Sequence, residues 1–325
     1  MHKILVVRFS SIGDIVLTTP VIRALKTQLP FSEIHYLTKK TFHEVLIANP
    51  YIDKIHLLDE GLSKNIPTLK EENFECIIDL HNNLRTLKVK ARLGIKSYAV
   101  DKINFDKWMM TNFKINKLPN KHIVDRYFET VTDLKVKNDN KGLDYFIPKK
   151  DEVKINTLPE THRNGYIGFV LGALFNTKQF PIDKVISVCK KINKPIVLLG
   201  GEKEKAMGEK IKAAVGELIY NAAGLYNINQ SASLVKQATK IITNDTGLMH
   251  IASAFNKEII SIWGNTIPEF GMYPYMPQSP SNSHIIEVKD LSCRPCSKLG
   301  YDECPKGHFK CMNLIDEEEI VRLVS

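Results

Sequence analysis

The chain has 325 residues, 43% hydrophobic and 25% charged, a balance that excludes a disordered or fibrous protein and a length that suggests two domains. No stretch approaches the ~20 uninterrupted apolar residues of a membrane-spanning helix, and the opening MHKILVVRFSSIGD has too short an apolar run for a secretion signal, so a cytoplasmic location is expected. The net charge of +9 favours anionic partners, but its densest run, Arg85 to Lys96, has no interleaved aromatics, which argues against nucleic acid.

Residues 3–8 read as a buried strand and 15–29 as a helix, with Ile15, Val16, Leu17, Val21, Ile22 and Leu25 at helical spacing. Strands are expected at 33–38, 54–58 and 75–80, and helical stretches near 40–48, 84–92 and 122–134. The polar segment from about 135 to 160, rich in Asn, Asp, Gly and Pro, reads as a linker, which places one domain at 1–150 and a second at 151–325. The second half repeats the alternation, with strands at 165–171, 195–199, 217–220, 240–243 and 258–263 and helices at 181–192, 202–214, 230–238 and 246–255. Such alternation predicts an α/β protein of two doubly wound parallel sheets facing a cleft, with ligands outside the carboxyl ends of the strands.

Four loops after strands carry polar residues suited to chemistry. The first, RFSSIGDIVLTTP at 8–20, places Ser10, Ser11, Gly13 and Asp14 where a strand gives way to a helix; Asp14 also suits a helix N-cap there. This loop lacks the G-x-G-x-x-G of a dinucleotide fold, which counts against a nicotinamide oxidoreductase, and no P-loop is present. The second, TNDTGLMHIASA at 243–254, opens a helix at Thr246 and Gly247 behind Asp245, with His250 one turn in; helix N-termini attract phosphate. The third, LGALFNTKQFP at 171–181, offers Lys178 to a diphosphate, and the fourth, LLGGEKE at 198–204, offers Glu202. Solvated or capping roles account equally for Lys178 and Glu202 on spacing alone.

Taken in order, these segments together with ISIWGNTIPEF at 260–270 resemble family-9 glycosyltransferases, the lipopolysaccharide heptosyltransferases. The resemblance spans nearly the whole chain, and D-[ST]-G-x-x-H-x-A at Asp245 to Ala252 is its most specific part. It implies a GT-B fold of two Rossmann-like domains, the first binding acceptor and the second nucleotide-sugar. It further implies inverting transfer from ADP-heptose to the lipid A–Kdo inner core, with no cofactor needed for catalysis. Asp14 falls at the catalytic aspartate; Lys178, Thr246 and Gly247 fall at the donor diphosphate, with Asp245, His250 and Glu202 around the donor. Ser10, Ser11 and Gly13 would line the acceptor side, where Arg85 and Arg126 would meet anionic groups. Partial burial is expected to raise the proton affinity of Asp14. A family threonine is Ala173 here, which removes one donor contact. The same resemblance leads us to expect a monomer touching the inner face of the inner membrane. Transfer of another nucleotide-sugar to a different surface glycan, and nucleotide-sugar binding without turnover, are the alternative readings.

The cysteines Cys293, Cys296, Cys304 and Cys311 are spaced C-x2-C-x7-C-x6-C, with His308 among them. Four thiols suit a closed, structural zinc site. A loop of packed free thiols fits the spacing as well. Cys76 and Cys189 lie in apolar runs and read as buried, inert thiols.

Overall fold

A computed structural model describes residues 2–58 and 61–325, the side chain of Ser63 excepted. The chain forms two compact units, Met1–Lys102 with Lys121–Pro148, and Ile103–Asn120 with Lys149–Ser325. Both are α/β units on one parallel sheet, as the alternating pattern predicts.

In the first unit the chain runs β1 (Lys3–Val7), α1 (Ile12–Val16), α2 (Thr19–Gln28), β2 (Glu33–Lys39), β3 (Lys54–Leu58), α3 (Leu62–Glu71), β4 (Cys76–Asp79), α4 (Leu84–Leu93) and β5 (Lys96–Ala99). The sheet order is β3-β2-β1-β4-β5, all parallel. Leu5, Val7, Phe9, Leu37 and Ile77 build the core on one face of this sheet, against Val89 of α4. The single helix expected at 15–29 is two helices. Thr18 and Thr19 donate their hydroxyls to the carbonyls of Ile15 and Val16, and Pro20, which lacks an N–H, sits in the first turn of α2.

The second unit contains α5 (Asn104–Phe113), and the first closes with α6 (Ile123–Glu129). The second unit continues with β6 (Ile167–Val170), α7 (Ile182–Ile192), β7 (Ile196–Leu199), α8 (Lys205–Val215), β8 (Ile219–Asn221), α9 (Ile228–Gln237), β9 (Lys240–Asn244), α10 (Gly247–Ala254), β10 (Glu258–Trp263), β11 (Ser283–Glu287), α11 (Lys310–Asn313) and α12 (Glu317–Val324). Its sheet order is β11-β10-β9-β6-β7-β8. Gly168 belongs in β6 for lack of room: a Cβ there would lie 2.6 Å from Ile241 Cδ1 of β9. Among the described residues no helix is long and apolar enough to cross a membrane.

In each sheet the order reverses beside the first strand of the unit: between β1 and β4 in one, between β6 and β9 in the other. Loops leaving the carboxyl ends of those neighbours diverge to opposite faces and leave a crevice where ligands bind.

Candidate functional site

At the first crevice the chain leaves β1 through Arg8 and turns at Ser10–Ser11 into α1. Ser11, not Asp14, is the N-cap, and Asp14 is the third helical residue of a capping box. One Asp14 carboxylate oxygen accepts from the Ser11 backbone N–H (3.1 Å) and hydroxyl (2.8 Å); the other pairs with the Arg8 guanidinium at 2.6 Å. Arg8 itself is fixed by donating to the carbonyls of Ser10 (2.8 Å) and Leu80 (2.6 Å) and to the Tyr127 hydroxyl (3.2 Å). Burial works against its charge, but Asp14, Tyr127 and Tyr36 more than compensate, and the pKa of Arg8 is raised. The two groups form a close ion pair within the turn.

From the other side of the crevice comes His81, just after β4. Asp79 shapes the turn, accepting from the backbone N–H of His81 (3.1 Å) and Asn82 (2.7 Å). The His81 ring lies against Phe9, with centroids 5.2 Å apart. Its pKa is lowered to about 4 by burial and by the charges of Arg8 and Lys102, so the imidazole is neutral near pH 7. Its Nδ1 is buried without a hydrogen-bond partner.

The other acceptor-side candidates part company. Gly13 is buried within α1, while Ser10 and Ser11 are partly or fully exposed. Arg85 is exposed in the first turn of α4, which begins where the Asn83 side chain accepts from the Arg85 and Thr86 N–H groups. It lines a cavity of about 700 Å³ with Lys39, Lys40, Thr41, Leu58, Gly61 and Leu62, at the carboxyl ends of β2 and β3. Arg126 is only 2% exposed, reaching the Asp101 carbonyl at 3.5 Å. Buried in α6, it is not on the accessible surface of the unit.

At the second crevice, Asn244 ends β9 and ties it to β6: its side-chain amide donates to the carbonyls of Val170 (3.3 Å) and Leu171 (3.0 Å) and accepts from Phe180 N–H (3.1 Å). That clasp sets the loop carrying Lys178 beside Asp245. Lys178 donates to the Asp245 carboxylate, which also accepts from the Thr266 hydroxyl at 3.3 Å. Thr246 and Gly247 follow, partly exposed, at the start of α10, and no side chain caps that end. Unpaired helix N–H groups there suit a phosphate. His250, by contrast, is 3% exposed, so the structure does not place it on the accessible rim. Glu202 is largely exposed, 3.5 Å from Lys205 and against Gly224, whose φ of +75° only glycine adopts readily; the helix-capping role belongs to Glu204.

Sequence reasoning used the segment at 260–270 for the resemblance but gave its residues no role, and it missed Arg294. Arg294, nearly buried, donates to the carbonyls of Gly264 (2.6 Å) and Thr266 (2.8 Å) and pairs with Glu287 (2.6 Å), which fixes Thr266 beside Asp245. Asn265, between them, is 2% exposed and both its amide atoms are buried without hydrogen bonds. Arg8 and His81 were missed as well. The one available signal was a charged residue ending the apolar run KILVV.

In the cysteine-rich segment Cys293 Sγ lies 3.8 Å from His308 Nε2 and the Cys296 thiol donates to the Cys293 carbonyl at 2.9 Å. Burial, with neighbouring thiols, pushes Cys296 and Cys311 up to about 11. Among the described residues, the group of three metal-binding side chains whose ligand atoms converge within 4.8 Å is a different one, His35, His56 and Glu72. The Glu72 carboxylate there already takes Lys3 (3.0 Å) and Lys54 (2.5 Å). Cys76 and Cys189 are buried, with pKa values pushed up to about 11 and about 12 by burial, in keeping with inert thiols.

The family model for glycosyltransferase family 9 (heptosyltransferase) matches residues 63–303. The lipopolysaccharide heptosyltransferase 1 of Campylobacter coli is 24% identical over 99% of this chain and 98% of its own. Among solved structures, a family-9 glycosyl transferase of Veillonella parvula superimposes with a TM-score of 0.76 (21% identity, 99% of this chain, 97% of that one). The E. coli ADP-heptose LPS heptosyltransferase II does so with 0.72 (18% identity, 99% and 97%), which establishes the GT-B fold. The chain belongs to glycosyltransferase family 9, the heptosyltransferases.

Proposed function

We propose that this heptosyltransferase moves a heptose from ADP-heptose to the lipid A–Kdo inner core of lipopolysaccharide, with inversion and without a catalytic metal. The observation that carries this reading is Asp14, a carboxylate held on both oxygens at the crevice of the first sheet. Its counterpart is a lysine held by Asp245 at the crevice of the second. The name of the E. coli structure supplies the donor, and the curated relatives supply the lipopolysaccharide class.

Inverting transfer is a single displacement. The acceptor oxygen attacks the anomeric carbon, the bond from that carbon to the diphosphate oxygen breaks, and ADP leaves. Asp14, kept ionised by Arg8 and aimed by Ser11, takes the acceptor proton. His81, kept neutral, supplies a hydrogen-bonding edge beside it. The charge growing on ADP is met by Lys178 and the first N–H groups of α10. The carboxylate best placed to hold a divalent ion, Asp245, is engaged by an ammonium and a hydroxyl, which favours a metal-free mechanism. Arg85 and its neighbours Lys39 and Lys40 suit anionic groups of the acceptor. Peripheral contact with the inner membrane and action as a monomer complete the reading.

Zinc held by Cys293, Cys296, Cys304 and Cys311 would be structural and apart from these steps. The test of the whole is transfer from ADP-heptose to a purified lipid A–Kdo acceptor, with the anomeric configuration of the product read by NMR and the rate repeated under EDTA. Retention of configuration, or a rate abolished by chelation, overturns the mechanism.

A further inference from the structure

Thr177, the residue before Lys178, is buried and bound to a distant part of the second unit. Its backbone N–H donates to the Tyr301 carbonyl at 3.1 Å. Its hydroxyl donates to the same carbonyl at 3.0 Å and accepts from the Tyr301 N–H at 2.8 Å. The hydroxyl is thus engaged as donor and as acceptor by the backbone of one residue, within the cysteine-rich segment. Phe175 packs on that segment as well. Gly300 has a φ of +140°, and a Cβ there would lie 2.5 Å from Phe175 Cβ.

The same segment holds the other partner of the ion pair. Arg294 donates to the carbonyls of Gly264 and Thr266, and the Cys296 N–H donates to the Asn265 carbonyl at 3.1 Å. Every carbonyl from Gly264 to Thr266 is therefore gripped, and the Thr266 hydroxyl donates in turn to Asp245. The two gripped loops also touch each other: a Cβ on Gly264 would lie 2.7 Å from the Thr177 carbonyl oxygen. Lys178 and Asp245 accordingly each stand beside a residue that Arg294, Cys296 and Tyr301 hold in place.

We infer that the stretch from Arg294 to Tyr301 is the positioning element of the donor site, with Thr177 and Arg294 as its positioning residues. Thr177 sets the backbone from which Lys178 projects. Arg294 sets Thr266 and, through it, Asp245. The side-chain chemistry suits these tasks. Threonine is branched at Cβ and has few rotamers, so its hydroxyl couples two loops with little play. The planar fork of arginine spans two carbonyls and the Glu287 carboxylate at once, which an ammonium cannot do. The inference rests on the proposed role of Lys178 at the donor diphosphate. A cation that meets developing charge must be in place beforehand, and a shift of about 1 Å costs on the order of a hundredfold in rate.

The experiment uses the full chain, with ADP as the calorimetric probe and steady-state transfer from ADP-heptose alongside. Thr177→Val keeps the shape and removes both hydroxyl bonds. It should weaken ADP binding about tenfold, the scale of one hydrogen bond to a charged group. It should also lower kcat about a hundredfold and leave the KM for acceptor unchanged. Thr177→Ser returns the hydroxyl and should restore both quantities. On a Lys178→Ala background, Thr177→Val should cost no more than about a further twofold, because a residue that acts through Lys178 then has nothing to position. Arg294→Lys keeps a charge beside Glu287 but cannot reach both carbonyls, and should shift ADP affinity in the same direction. If Thr177→Val does not fold, the cycle of Arg294→Lys with Lys178→Ala decides in the same way. Losses that add in full on the Lys178→Ala background overturn the inference. So does a Thr177→Val protein whose melting temperature falls while ADP affinity and kcat hold. A Lys178→Ala protein that binds ADP and transfers like wild type would instead refute the donor reading, and the inference with it.

Discussion

The Arg8 guanidinium stands 2.6 Å from the Asp14 carboxylate and grips the Leu80 carbonyl at the same distance, so one buried side chain ties the loop after β1 to the end of β4. The pair sits where the order of the first sheet reverses, which is the position the fold reserves for a ligand. Arg8 therefore has two effects that can be separated by experiment.

Arg8→Met removes the charge and leaves Asp14 without its ion partner. The neutral carboxyl form becomes easier to reach, so the acid limb of the pH–rate profile should move to higher pH. Stability should fall by roughly 3 kcal/mol, the scale for breaking a largely buried ion pair. Arg8→Lys should keep part of the stability and shift the limb less. An unshifted limb in the methionine variant would detach Arg8 from the chemistry.

Lys178→Ala should lower kcat about a hundredfold or more, the scale for losing one group that stabilises developing charge, and should also weaken donor binding. Asp245→Asn keeps the lysine but frees its ammonium, and should cost less. Steady-state kinetics with varied ADP-heptose distinguishes the two. If Asp245→Asn is the more damaging, the carboxylate rather than the lysine contacts the donor.

The orphaned amide of Asn265 costs folding energy, about 1–3 kcal/mol for buried polar atoms left unpaired. Replacing it with leucine should raise the melting temperature while weakening ADP-heptose binding, measured by calorimetry. A stabilised variant with unchanged donor affinity would assign Asn265 to packing alone.

His81 and His56 both have pKa values lowered to about 4, in each case chiefly by burial. The folded protein therefore resists protonation that the unfolded chain accepts near pH 6.5. Stability should be constant above that value, decline as pH falls from about 6.5 towards about 4, and level off below. Urea melts across that window test it, and His81→Gln should flatten the slope. An unchanged slope in both His81→Gln and His56→Gln would contradict the assignment.

Much of this was legible in the sequence because buried parallel strands must be apolar throughout: the interior strands β1, β2, β4, β6, β7, β9 and β10 stand where apolar runs predict them. The edges were not. β5 is largely exposed and β11 only half-buried, so neither carries the run that would announce it. Pro67 inside α3 hid that helix, and α5, with nothing buried, has no apolar stripe facing a core. Asp14, Lys178 and Asp245 were legible as residues, through the ordered motifs. Their partners were not: Arg8 meets Asp14 only through the capping-box turn, and Thr266 meets Asp245 only through Arg294. Arg126, chosen for its charge, and His250, chosen from a motif, show the reverse, since neither signal reveals whether a side chain ends in the interior.

The most direct test is a single-turnover comparison of wild type and Asp14→Asn with ADP-heptose and a lipid A–Kdo acceptor, alongside calorimetric donor binding. The account predicts unchanged donor affinity and transfer slowed by about a thousandfold, within the range for losing a general base. Transfer at near the wild-type rate would contradict it.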